Sequence, residues 1–146
     1  MRIYKANLDD LDTLVPLFDG YRVFYKQASD PETARSFIEE RLSKKDSVIF
    51  MAVSEKEEGI GFTQLYPSFS SVAMQRVYIL NDLFVSEGAR GLGVGEALLE
   101  RAKSFAREQE ARGLTLETAT DNPAQKLYER LGWTKDTEVF HYTWEI

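Results

Sequence analysis

Arg90-Gly91-Leu92-Gly93-Val94-Gly95 is the stretch of this chain whose residue types and spacing are best suited to holding a ligand. Three glycines at alternate positions leave the backbone bare and allow φ > 0, so consecutive N–H groups can turn towards one anion where a helix opens. Arg90 adds a fixed cation whose planar fork of donors suits phosphate or pyrophosphate oxygens. Glycine-rich turns also serve close strand-to-helix packing, so the hexapeptide alone leaves both uses open. Two familiar phosphate loops do not fit: there is no Gly-Lys-Ser/Thr ending, and the third glycine of Gly-x-Gly-x-x-Gly would fall at Glu96.

Just upstream, Asn81 and Asp82 sit in the middle of an apolar run, where polar groups are costly unless satisfied or used. The chain has no cysteine and one histidine, His141. That removes disulfides, thiol nucleophiles and thiolate metal sites, and one histidine cannot build a zinc cluster, so no metal is expected. Nor is a Ser-His-acid constellation evident. The net charge of −6, from 18 basic and 24 acidic residues, has the wrong sign for a nucleic-acid partner. No apolar run approaches the roughly 20 residues that span a bilayer, and the first residues lack the apolar core of a signal peptide. A cytoplasmic protein without membrane contact is the expectation.

The elements that must position these residues follow from periodicity. A chain of 146 residues without a linker or repeat is expected to form a single domain over 1–146. Residues 2–6 read as a strand, and Asn7 as the cap of a helix with Leu8, Leu11, Leu14, Val15 and Phe18 on its apolar face. Pro16 is expected to kink or shorten that helix before Gly20. The aromatic cluster Tyr21, Phe24 and Tyr25 has no clean period and suits either core packing or a lid. Asp30-Pro31-Glu32 opens a second helix. Residues 47–53 and 59–66 read as an antiparallel hairpin, broken by 66–71.

Residues 75–85 follow as a central strand, with Val77, Ile79, Asn81, Leu83 and Val85 on one face and Tyr78, Leu80, Asp82 and Phe84 on the other. After the glycine loop, Val94, Ala97, Leu98, Ala102, Phe105 and Ala106 form the stripe of a long helix that ends by Gly113. Residues 114–119 read as the next strand, reached by a right-handed parallel crossover. Asp121 or Asn122 then caps a helix with Pro123 at its first position, stopped by Gly132. Residues 133–146 read as two final strands.

Strand, Arg-Gly-x-Gly-x-Gly, helix, strand, then a short helix with Leu-Tyr-Glu-Arg-Leu-Gly-Trp: this combination resembles the GNAT N-acetyltransferase superfamily, most specifically over 79–133. Asn81-Asp82-Leu83-Phe84-Val85 and the loop look most like its diamine-acetyltransferase-like branch. The resemblance implies an α+β (mixed α/β) fold with about four helices and a central mixed sheet of six to seven strands. That sheet would be antiparallel in its N-terminal half, with one parallel pair splayed at the cofactor site.

The resemblance further implies acetyl-CoA as cosubstrate. Arg90, Gly91, Leu92, Gly93, Val94 and Gly95 would cradle the pyrophosphate, while Leu83, Phe84 and Val85 would meet the pantetheine and acetyl group. Splayed strand edges offer unpaired backbone groups to an amide-rich arm in any case. Tyr128 matches the tyrosine that protonates the departing thiolate; a phenol of reference pKa about 10 is protonated at neutral pH and can do so. Asn122, or Asp121 one residue earlier, matches the position of a cofactor-contacting asparagine; a helix cap is Asn122's other reading. The glutamate often cast as base in that branch aligns with Asn81, which cannot accept a proton, so Asp82 is the candidate base or amine-orienting anion and Glu117 the reserve.

The implied function is direct transfer of an acetyl group to a primary amine, the acceptor being a small molecule such as a polyamine or amino acid. Tyr21, Phe24, Tyr25, Tyr66 and Phe69 would rim its site. A coenzyme A-binding sensor and a nucleotide-binding enzyme are the alternatives. A homodimer is possible, with the aromatic segment 140–144 contributing.

Overall fold

The protein, described over residues 1–146 by a computed structural model, begins with β1 (Arg2–Lys5) and a capped 3₁₀ turn. Asn7 accepts from the Asp9 N–H, and the Asp10 carboxylate accepts from the Asn7 N–H, so the 3₁₀ turn that leads into α1 (Leu11–Phe24) has its first donors satisfied. Pro16 does not stop this helix, which runs on through Gly20 and the aromatic cluster to Phe24. A proline inside a helix costs about 3 kcal/mol. Here Leu14, Val15, Leu17 and Phe18 are buried on the sheet-facing side and offset it. In α2 (Pro31–Lys44) the Asp30 carboxylate accepts from the Thr33 N–H and proline takes the first position, as expected.

The sheet has five strands in the order β1-β2-β3-β4-β5, the first four antiparallel and the last pair parallel. β2 (Val48–Val53) and β3 (Gly59–Ser70) form the expected hairpin. β3 also runs four residues past the predicted break, through Pro67 to Ser70, and turns directly into β4 (Gln75–Val85). Proline is tolerated because β2 pairs with β3 no further than Leu65, so the missing Pro67 N–H faces an open edge. α3 (Val94–Glu108) follows the glycine loop, then β5 (Leu114–Thr115) and α4 (Gln125–Arg130).

Two cores flank this sheet. α1 and α2 cover one face with Leu14, Phe18, Ile38, Ile49, Met51 and Phe62, and α3 covers the other with Phe50, Leu65, Leu80, Leu98, Leu99 and Phe105. The mixed α+β class, the four helices and the single parallel pair agree with expectation. The number of strands is smaller: residues 133–146 form none, because their backbone groups pair with no strand; only the Trp133 N–H, to the Tyr128 carbonyl, and the Glu138 N–H, to Asp136 Oδ1, find partners. No helix is long and apolar enough to cross a membrane.

Candidate active site

β4 departs from the simple alternation its sequence suggests. Gln64 pairs with Asp82 but Leu65 pairs with Leu80, which leaves Asn81 as an extra, unpaired residue. Such a bulge moves every following side chain to the opposite face. Tyr78 and Leu80 pack under α3; past the bulge it is Leu83 and Val85 that continue that face, while Phe84 joins the core under α1. Asp82 therefore lies on the α1 side with Phe84 and not on the side of Tyr78 and Leu80.

The Asp82 side chain is buried, and both of its oxygens are taken: Oδ2 accepts from Gln64 Nε2 at 2.6 Å and Oδ1 from Asn81 Nδ2 at 2.7 Å. Gln64 is held in turn by the Ser47 hydroxyl at 2.8 Å. Burial raises the Asp82 carboxyl above the usual carboxylate range, opposed by the hydrogen bonds from Asn81, Gln64 and Tyr21. Burial and the nearby Asp82 charge push the Tyr66 phenol up to about 12, and the same two causes raise Tyr21 further. Sequence reasoning missed Ser47 and Gln64. The one signal for them is a glutamine within the otherwise apolar run Ile60-Gly61-Phe62-Thr63-Gln64-Leu65.

β4 and β5 pair only at Tyr78–Leu114 and Ile79–Thr115 and then diverge. A cleft of about 610 Å³ opens between them. Asn81, Leu83, Phe84 and Val85 line it from β4, Leu116, Glu117 and Thr118 from the segment after β5. Arg90, Gly91, Gly93, Val94 and Gly95 close one end, and Asn122, Leu127 and Tyr128 close another. Phe24 and Tyr25, at the end of α1, add a third wall; the structure thus brings part of the aromatic cluster to the cleft.

Two expected site residues stand outside the cleft lining. Leu92 projects outward and is 72% exposed; Asp82 reaches the cleft only through its hydrogen bond to Asn81. Phe69, expected at the acceptor rim, does not line the cleft either and lies under the Arg76 guanidinium, 4.5 Å from its ring centroid.

Gly91 and Gly93 have φ of 78° and 81°, and a Cβ on either would meet nothing within 4 Å, so it is conformation that favours glycine there. Gly93 immediately precedes the first residue of α3, whose leading N–H groups have no intrahelical partner. Arg90 folds back across the mouth: its Nε donates to the Val85 carbonyl at 3.0 Å, and its guanidinium lies 5.5 Å from the Phe24 ring centroid and 5.9 Å from that of Phe84.

At the opposite end Asn122 caps the turn into α4, its Oδ1 accepting from the Ala124 N–H at 2.9 Å. Its Nδ2 faces the Tyr25 hydroxyl at 3.5 Å. Tyr128 is raised above its ordinary pKa by burial and, secondarily, by Tyr25. Glu117 is largely exposed and pairs with His141 Nδ1 at 3.0 Å.

A loop of positive-φ glycines at a helix start thus stands beside two diverging parallel strands. The family model described as "Acetyltransferase (GNAT) family" matches residues 14–133. The chain belongs to the GNAT acetyltransferase family. A Bacillus subtilis (strain 168) relative named N-acetyltransferase YhfO is 50% identical over 143 residues, covering 97% of this chain and 95% of its own. A probable acetyltransferase of Haemophilus influenzae is 35% identical over 141 residues, covering 88% and 97%. The crystal structure of a probable acetyltransferase superposes with a TM-score of 0.94 at 48% identity, covering 100% and 98% of the two chains. This GNAT protein is accordingly an N-acetyltransferase, with the fold its motifs implied.

Proposed function

We propose that this GNAT enzyme moves the acetyl group of acetyl-coenzyme A to a primary amine of a small molecule, such as a polyamine or amino acid, by direct attack in a ternary complex. The observation that carries the reading is the cleft itself. Two parallel strands that stop pairing expose backbone groups to an amide-bearing arm, and they end beside the positive-φ glycines at the start of α3. Arg90 and the backbone of Gly91, Leu92, Gly93, Val94 and Gly95 receive the pyrophosphate; Leu83, Phe84 and Val85 align the pantetheine and the thioester. For this, Arg90 releases the Val85 carbonyl that its Nε now occupies.

As the bond from nitrogen to the acetyl carbon forms and the carbon–sulfur bond breaks, Tyr128 protonates the departing thiolate, and the proton lost by the nitrogen returns through solvent to restore the phenol. Its raised pKa keeps the phenol protonated at neutral pH, and its place in the cleft wall gives it access. Asn122 orders the turn before it. Asp82, with both oxygens occupied, acts as the anion that orients the amine through Asn81: by accepting from Asn81 Nδ2 it leaves the side-chain Oδ1 of Asn81 to receive an amine hydrogen. The remaining acceleration comes from holding amine and thioester in register and from N–H groups near Val85 that meet the developing oxyanion.

The test is acetyl-coenzyme A-dependent release of free thiol across a panel of amines. Release with at least one primary amine is expected. Tight binding of coenzyme A without release for any amine would instead support a sensor, and a preference for ATP or NAD over coenzyme A would overturn the reading altogether.

A further inference from the structure

The four polar side chains that are buried in this chain, Ser47, Thr63, Gln64 and Asp82, all belong to one hydrogen-bonded cluster. Apolar packing in place of a buried ionic group is often neutral for stability or favourable, so folding alone gives no reason to keep it. Its direction gives one. An ionised carboxylate can only accept, and Asp82 therefore obliges both neighbouring amides to turn their NH₂ groups towards it. Gln64 Nε2 meets Oδ2 at 2.6 Å, and Asn81 Nδ2 meets Oδ1 at 2.7 Å. Gln64 Oε1, turned the other way, takes the hydroxyl hydrogen of Ser47 at 2.8 Å.

Hydroxyls hold the backbone of the bulge as well. Thr63 Oγ1 donates to the Asp82 carbonyl at 2.8 Å, and the Tyr21 hydroxyl to that of Asn81 at 3.3 Å. The cluster thus runs from Ser47, just before β2, across β3 to β4, with each amide in a single orientation. Neither Ser47 nor Gln64 lines the cleft, whereas Asn81 does.

We propose that Ser47 and Gln64 are positioning residues for the acceptor: acting through Asp82, they hold the Asn81 side chain with its oxygen, and not its NH₂ group, towards the incoming amine. This rests on the contact between Asn81 and the amine proposed above. The reason is electrostatic. An Asn81 amide turned over would set its oxygen against the Asp82 carboxylate and present N–H donors to the amine hydrogens, so the two orientations differ in whether an amine is received or repelled. Asp82 enforces the first only while it is itself held in place. Without the Ser47 hydroxyl, Gln64 keeps a buried carbonyl that has no partner, a penalty relieved by rotating away from Asp82. The carboxylate then has one fixed amide in place of two, and its hold on Asn81 loosens.

Steady-state kinetics of the full chain, with acetyl-coenzyme A and the amine of lowest KM from the thiol-release panel, test the proposal. Ser47→Ala should raise KM for the amine about fivefold and Gln64→Met about tenfold, the weights of a neutral and a charge-assisted hydrogen bond. Both kcat and the KM for acetyl-coenzyme A should stay within about twofold of the wild type. Ser47→Thr keeps the hydroxyl and should restore the wild-type value. In a double-mutant cycle, Ser47→Ala should have no further effect on the amine KM once Asn81→Ala is present. Should Gln64→Met fail to fold, the Ser47 cycle carries the test alone. A joint loss of kcat, both KM values and melting temperature would mark a cluster that serves folding only and would overturn the proposal. So would a Ser47→Ala effect undiminished beside Asn81→Ala, or variants indistinguishable from the wild type. Failure of the underlying reading looks different: the wild type acetylates no amine, or Asn81→Ala alone leaves the amine KM unchanged, and either result takes this proposal with it.

Discussion

Tyr128 and Asp82 are both shifted upward by burial, yet they serve opposite ends of the reaction and respond differently to change. Tyr128→Phe removes only the transferable proton. Turnover should fall by roughly 10²-fold, the lower range for a general acid, while coenzyme A affinity measured by calorimetry stays the same. Unaltered turnover would remove Tyr128 from the mechanism. For Asp82 the readout is stability. Its folded-state pKa is raised above 3.8, so the folded protein holds that proton more tightly than the unfolded chain. The associated stability is fully present below pH 3.8 and is lost as pH rises through the folded value. In Asp82→Asn this slope should vanish, so urea unfolding across that window should show the wild type losing stability relative to the variant. The opposite slope would mean that the Gln64 and Asn81 hydrogen bonds outweigh desolvation.

Among the elements, β3 and β4 carry the site, and their contact is tight at Gly61. A Cβ there would stand 2.8 Å from the Phe84 carbonyl oxygen and 3.2 Å from a Val94 methyl. Gly61→Ala should destabilise the protein by about 1–3 kcal/mol through overpacking. Gly88→Ala, with nothing within 4 Å, should stay within about 0.5 kcal/mol in the same urea titrations. The elements that the sequence announced were those with strong local signals: Asp30-Pro31 at a helix start, the stripe from Val94 to Phe105, the short apolar run of the first hairpin strand and the polar turn after it. Gly91 and Gly93 were legible because few residues adopt positive φ. What escaped depended on pairing. A bulge is a property of two strands, so nothing within β4 alone placed Asp82 beneath α1, and Pro67 looked like a break until β2 was seen to end short of it. Residues 133–146 have every mark of strands, but strand character does not supply a neighbour.

Over the whole molecule, a ligand that binds only the folded state raises its stability by mass action. At a concentration 100 times its dissociation constant, coenzyme A should add about 2.7 kcal/mol. For a chain of this size that is a rise of roughly 5–10 °C in melting temperature, readable by differential scanning fluorimetry. ATP or NAD should give a smaller rise. The extra residue at Asn81 also has a bearing on which changes of length the protein can survive. Removing that one residue would leave Leu80 next to Asp82, still opposite Leu65 and Gln64, so both cores would keep their contents and the loss would fall on the hydrogen bond from Asn81 to Asp82. A residue gained or lost between Asp82 and Val85 would instead reverse the faces on one side of the change, sending either Asp82 or the end of the strand into the wrong core. In a library of length variants, position 81 should therefore be the one place in this stretch of β4 where a deletion still folds.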